Sequence, residues 1–311
     1  MLPLVVVFGL QLVSALPPLP MPPPLSAYQR GFIANVSAAA APASAQALPA
    51  LLAALDDAEF RAALSRCCPA ISMLGSRELF QELEAGFAVT EQVHNIRLGS
   101  RGGDLTLEMA QNLSYFPNLW EVAYLQGKPP QSGVGNMQAH AEEHLFGFAP
   151  FANESAPTWV EASQRPIYIA FNLLRVSLGN PIFGAISFVF KPAAVKPMTF
   201  IAPVDTGIWE MSCNHSSGRG KSSFWGTNCS NFDGARWPNE TTPFVHWPLG
   251  TMEHHAHLYL QNIGFWNLSY PEGLALLFGR MFNRSHTNIT GHALNFYMEA
   301  NLAGNPPLKV L

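Results

Sequence analysis

Two histidine-rich strings offer the most direct chemistry in this chain. His140-Ala-Glu142-Glu143-His144 has the His-x-x-Glu-His spacing. On a helix that spacing sets both imidazoles on one face with a carboxylate between them. Met252-Glu253-His254-His255-Ala256-His257 adds three more imidazoles. Zinc hydrolysis asks for three protein ligands and one open position, so a zinc-dependent hydrolase is one reading. The short string arises easily by chance, and His254, His255 and His257 alternate unevenly. They read better as a mixture of core and surface residues, and no metal is expected. Cysteines are the other reactive groups. Cys213 and Cys229 bracket a polar loop and are the favoured disulfide. Cys67 and Cys68 are then either a strained adjacent pair or two thiols. Four cysteines permit three pairings.

The elements that position these groups follow from patterning. Residues 38–64 are rich in Ala and Leu at helical spacing, with Leu48, Leu51, Leu52, Leu55, Phe60 and Leu64 in one stripe. Asp56 and Asp57 cap a second helix. A third is expected over 76–87, with Leu79, Phe80 and Leu83 facing inward. His94, Ile96 and Leu98 alternate like a short strand. Ile167–Asn172, Ala185–Phe190 and Met198–Ile201 are short apolar runs punctuated by Pro or Gly and read as buried strands. Residues 251–266 and 292–300 each read as helix or strand. Without regular alternation of helix and strand, the fold class is α+β, an N-terminal helical region packed on a strand-rich C-terminal core. The expected organisation is a signal peptide at 1–15, a Pro-rich spacer at 16–37, a helical region at 38–130 and a strand-rich domain at 131–311 with a polar insert at 212–240.

Export is the expected destination. The chain carries Asn-x-Ser/Thr sequons at Asn35, Asn112, Asn153, Asn214, Asn228, Asn239, Asn267, Asn283 and Asn288. Each is a candidate acceptor for N-glycosylation in a secretory lumen. The apolar run from Val5 to Val13 is too short to span a bilayer, and Val13-Ser14-Ala15 suits signal cleavage. No later stretch reads as a membrane span. Only 12% of the 311 residues are charged while 48% are hydrophobic, and glycans would supply the missing surface polarity. The net charge of −4 and the lack of a basic stripe argue against nucleic acid as a partner. Trp209, Trp225, Trp237, Trp247 and Trp266 serve either a core or a sugar-binding surface.

Arg165-Pro-Ile-Tyr168-Ile-Ala-Phe-Asn172 resembles the Arg-Pro-x-Tyr-Gly-Ala-Leu-Asn signature of a functionally uncharacterised, mainly bacterial family. Other blocks resemble it in the same order. They are Ser132–Asn136 with His144-Leu-Phe-Gly147, Pro181-Ile-Phe-Gly184, Phe190-Lys-Pro192, Met198-Thr-Phe200 and Tyr297-Met-Glu299-Ala300. The likeness spans about residues 130 to 311. Ala185 stands where that family has Ser, Ile169 replaces Gly, and Asn301 and Ala303 replace Gln and His. The order of Arg, a small hydroxyl and a late Glu also looks like the plan of ADP-ribosyltransferases. That resemblance implies a secreted protein that binds NAD and cleaves the nicotinamide–ribose bond. Arg165 would clamp the pyrophosphate, with Tyr168, Asn172 and Gly184 around the dinucleotide. Ser187 would hold the ribose, and Glu299 would accept the 2′-OH and stabilise the oxocarbenium ion. The alternative is a catalytically inactive glycoprotein for binding or structure.

Overall fold

The computed structural model describes residues 24–96, 115–125, 127, 139, 142–143, 146–153, 156–171, 186–190, 192–204, 249–266, 268–283 and 298–306. Its helices are α1 (Ala27–Leu55), α2 (Ala58–Cys67), α3 (Ser76–Ala88), α4 (Leu119–Leu125), α5 (Trp159–Ser163), α6 (Pro192–Val195), α7 (Ala256–Phe265) and α8 (Tyr270–Phe282). Its strands are β1 (Gln92–Ile96), β2 (Ile167–Phe171), β3 (Ile186–Phe190), β4 (Thr199–Ala202), β5 (Gly250–Thr251) and β6 (Glu299–Leu302). The α+β class holds.

Helix starts follow local chemistry. Ser26 opens α1 through a reciprocal box: its Oγ accepts from Gln29 N at 3.1 Å, and Gln29 Oε1 accepts from Ser26 N at 2.9 Å. Asp57 caps α2 by accepting from Glu59 N and Phe60 N. α1 therefore begins at Ala27, inside the stretch expected to be a spacer, and it runs through Pro42 and Pro49. Each proline withholds one backbone donor, so contacts with other elements must hold this helix together. Gln29 Nε2 donates to Ser163 O at 3.1 Å, and Ser44 Oγ pairs with His257 Nδ1 at 2.9 Å. By length and composition α1 is also apolar enough to cross a membrane, though most of its apolar window is not buried in the fold.

The described strands form one antiparallel sheet in the order β3-β1-β2-β6-β4-β5. β1 lies between β3 and β2, so the sheet crosses the expected boundary at residue 130. Opposed residues of antiparallel strands share a face. Ile167, Ile169, Phe171, Ile201, Ala300 and Leu302 belong to the larger core, together with Leu51, Leu55, Phe60, Leu64, Leu79, Leu83, Phe87, Leu274 and Phe278 from the helices. Phe87 packs on Phe171 at 4.5 Å between ring centroids, and Phe60 meets Phe278 edge-on at 5.4 Å.

The opposite face carries Tyr168 across from Asn301, Ala170 across from Glu299, and then Phe200 and Ala202 on β4. A smaller core covers part of it, with Phe146, Phe148, Phe200, Ala202, Phe265 and Trp266. This face holds the polar groups described next.

Candidate functional site

The site begins with α4. Asn118-Leu-Trp-Glu121 closes on itself: Asn118 N donates to Glu121 Oε2, and Glu121 N donates to Asn118 Oδ1, both at 2.8 Å. The Asn118 amide also donates to Ala162 O at 2.8 Å and to Arg165 O at 3.0 Å. One short helix thus fixes the turn that delivers Arg165 and β2. From the C-terminal side, Asn305 Nδ2 donates to Glu121 Oε2 at 2.6 Å and to Phe116 O at 3.1 Å. Burial pushes the Glu121 carboxyl up to about 7, against the lowering effect of its Asn118 and Asn305 hydrogen bonds.

Next to this knot, Glu142 is fully buried. Its Oε1 accepts from Trp120 Nε1 at 2.9 Å and from the Tyr168 hydroxyl at 3.0 Å. Its Oε2 lies 3.2 Å from Arg165 Nη1, but the two are not aligned as a hydrogen bond. Arg165 is 4% exposed. Its guanidinium stands 3.8 Å from the Phe151 ring centroid and 5.5 Å from that of Phe148, and Nη2 donates to Ala149 O. Burial raises the Glu142 carboxyl to about 7, and the attraction of Arg165 and the Trp120 and Tyr168 hydrogen bonds only partly oppose it. Desolvation also drives the Tyr168 phenol well above its usual range. The Glu142 and Glu299 charges push it further, while Arg165 pulls it back.

Tyr168 and Glu299 thus share one sheet face on neighbouring strands, and Arg165 is joined to Tyr168 through Glu142. Glu299 is 4% exposed and accepts from Asn301 Nδ2 at 3.1 Å. Asn301 is fully buried, and its Oδ1 has no hydrogen-bond partner among the described residues. Arg165, expected to clamp a pyrophosphate, is enclosed and faces Glu142. Ser187 is on edge strand β3 opposite Asn95, with β1 and β2 between it and β6. Three strand spacings amount to ~14 Å, so its strand position is not adjacent to Glu299. Asn172 and Gly184 lie outside the described residues.

The sequence reading passed over Trp120, Glu121 and Asn305 and saw Glu142 only as part of a metal string. The Asn-x-x-Glu spacing at 118–121 is a helix-start signature that would have placed α4 and its tryptophan. Glu142 had no comparable signal, because the partners that define it come from α4 and β2.

The histidines separate. His255 stacks on Phe87 at 4.2 Å, faces Glu84 Oε1 at 3.1 Å through Nε2, and places Nδ1 3.2 Å from Thr251 O. His257 points to Ser44 on α1. Among the described residues no group of three or more His, Cys, Asp or Glu could hold a metal. His140 and His144 lie outside the described residues, as do Cys213 and Cys229, Trp209, Trp225, Trp237 and Trp247, and the sequons Asn112, Asn214, Asn228, Asn239, Asn267 and Asn288. Asn35 and Asn153 are exposed and Asn283 is half-buried. Trp266 belongs to the smaller core. Compared with known proteins, the chain matches no family model and no curated protein.

Proposed function

We propose that the Tyr168–Glu299 face of the sheet is the site of an exported, ADP-ribosyltransferase-like protein that takes NAD and breaks its nicotinamide–ribose bond. The observation that supports this is the placing of Glu299 on the sheet face that carries Tyr168, whose hydroxyl bonds the Glu142 carboxylate facing Arg165. Nicotinamide leaves with the bonding electron pair as a neutral ring, so its departure needs no acid. The ribose cation left behind needs a nearby anion, and Glu299 supplies it. Water or another nucleophile then attacks the anomeric carbon and releases its proton to solvent, since the enclosed Glu142 is out of its reach. In this scheme Arg165 holds Glu142 in place and does not grip phosphate. Exposed Asn35 and Asn153 are compatible with glycosylation during export.

The test is nicotinamide release from millimolar NAD by the full chain. Release is expected, with Glu299→Gln abolishing it while the fold is retained. A chain that neither binds NAD by calorimetry nor releases nicotinamide overturns the proposal. Export is tested separately by expression in a secreting eukaryotic host, where removal of N-glycans should lower the mass.

A second reading is favoured by the enclosure of the cluster. Arg165 and Glu299 are each 4% exposed and Glu142 is not exposed at all, which suits a polar network that fixes strand and helix register in an inactive binding or structural glycoprotein. Under that reading Glu299→Gln changes stability, and neither protein has activity.

A further inference from the structure

Successive side chains diverge by about 100° on a helix and point to opposite faces of a strand, so neighbouring cysteines do not normally bring their sulfurs together. Cys67 and Cys68 do. α2 ends at Cys67, and Cys68 leaves the helix with φ −140° and ψ 59°. The two Sγ atoms are 2.9 Å apart, against about 2.05 Å for a bonded pair.

The dipeptide is held on several sides. Cys68 N donates to Leu64 O at 2.8 Å, and Ile71 N donates to Cys68 O at 3.1 Å. Cys67 O accepts from Asn283 Nδ2 at 2.9 Å, and Cys68 Sγ sits 3.6 Å from Phe278 O on α8. The two thiols differ in access, Cys67 being half-buried and Cys68 6% exposed. Burial, with the neighbouring thiol, pushes Cys68 up to about 12.

We infer that Cys67 and Cys68 form a dithiol site that reacts with small-molecule disulfides, closing a disulfide between adjacent residues, with Cys67 as the attacking sulfur and Cys68 as the resolving one. The Cys67 thiolate attacks one sulfur of the external disulfide and expels the first thiol. Cys68 then attacks the mixed disulfide at Cys67 and expels the second. Both cysteine protons end on the two released thiols. The protein pair is oxidised by two electrons and the external disulfide is reduced by two. The ring so closed would lie within the turn that ends α2, beside Phe278 O and Asn283.

The experiment uses the full chain, reduced and then equilibrated with glutathione and glutathione disulfide at graded ratios. Unreduced digestion followed by mass spectrometry reads the peptide that contains both residues. That peptide is expected to lose two hydrogens as the buffer becomes oxidising. Cys68→Ser should trap glutathione on Cys67. Cys67→Ser should pick up glutathione on Cys68 at least about tenfold more slowly in the folded protein, because the remaining thiol is buried, and at an ordinary rate in denaturant. Two intact thiols at the most oxidising ratio would overturn the inference, as would Cys68 joined to Cys213, Cys229 or another chain. The wild-type arm decides the matter even where a variant fails to fold.

Discussion

Replacing Glu142 with Gln isolates the central energetic feature of the site. Gln keeps an oxygen for Trp120 and Tyr168 but cannot ionise. In the folded protein the Glu142 carboxyl rises from 4.5 to about 7 because burial outweighs the pull of Arg165. That rise corresponds to about 3 kcal/mol at 1.36 kcal/mol per pH unit. A raised folded pKa gives stability that is fully present below 4.5 and lost as pH climbs through about 7. At pH 4 wild type and Glu142→Gln should therefore unfold in urea with nearly equal free energies. At pH 8 the variant should be more stable by about 3 kcal/mol, since wild type then carries a buried anion and the variant does not. The buried Glu121 also titrates, but it is common to both proteins and cancels. The opposite outcome has an equally definite size. If Arg165 is the dominant partner, the variant leaves a buried cation alone and loses about 3–5 kcal/mol at pH 8, which would refute the claim that desolvation wins.

Three further substitutions probe the scaffold. Gly273→Ala would place its Cβ 2.5 Å from both Ile263 Cγ atoms, between α7 and α8. Overpacking of about 1–3 kcal/mol should exceed the gain in helix propensity of about 1 kcal/mol, so urea denaturation should show a net loss. Asp57→Ala removes the acceptor for Glu59 N and Phe60 N and should cost about 1 kcal/mol in the same assay. Glu161 is held down to about 2 by hydrogen bonds from Ala152 N and from the backbone and hydroxyl of Thr158. Its contribution is present above 4.5 and lost as pH falls through about 2, so Glu161→Gln should lower Tm slightly at pH 7 and leave it unchanged near pH 2, the effect being small because the group is solvent-screened.

Much of the scaffold was legible because local rules agreed with the fold. The Asp57 cap, the helix over Ser76–Ala88 with Leu79 and Leu83 inside, and the strands at 167–171, 186–190 and 199–202 follow from short-range chemistry and apolar patterning. The start of α1 falls outside the expected helix because proline-rich sequence up to Pro24 predicts extended chain, whereas the Ser26–Gln29 box starts the helix at Ala27. The two prolines within α1 were no guide either, since the Ser44–His257 and Gln29–Ser163 contacts that hold the helix in place come from residues far along the chain.

By itself, the sequence determined the class of fold and the faces of the main helices and strands, and it singled out Arg165, Ser187 and Glu299 for catalysis, with Tyr168, Asn172 and Gly184 around them. Tertiary structure decided what those residues face. It set Arg165 against Glu142 and Phe151, drew Trp120 onto the same carboxylate, and left Ser187 on the far edge strand. The physical reason is that capping and amphipathic spacing act over a few residues, whereas desolvation and ion pairing depend on which distant segments exclude water together. Glu142 looks like any surface glutamate in the chain, and only the packing of α4, β2 and the 146–151 segment around it makes it a group that exchanges a proton near neutrality.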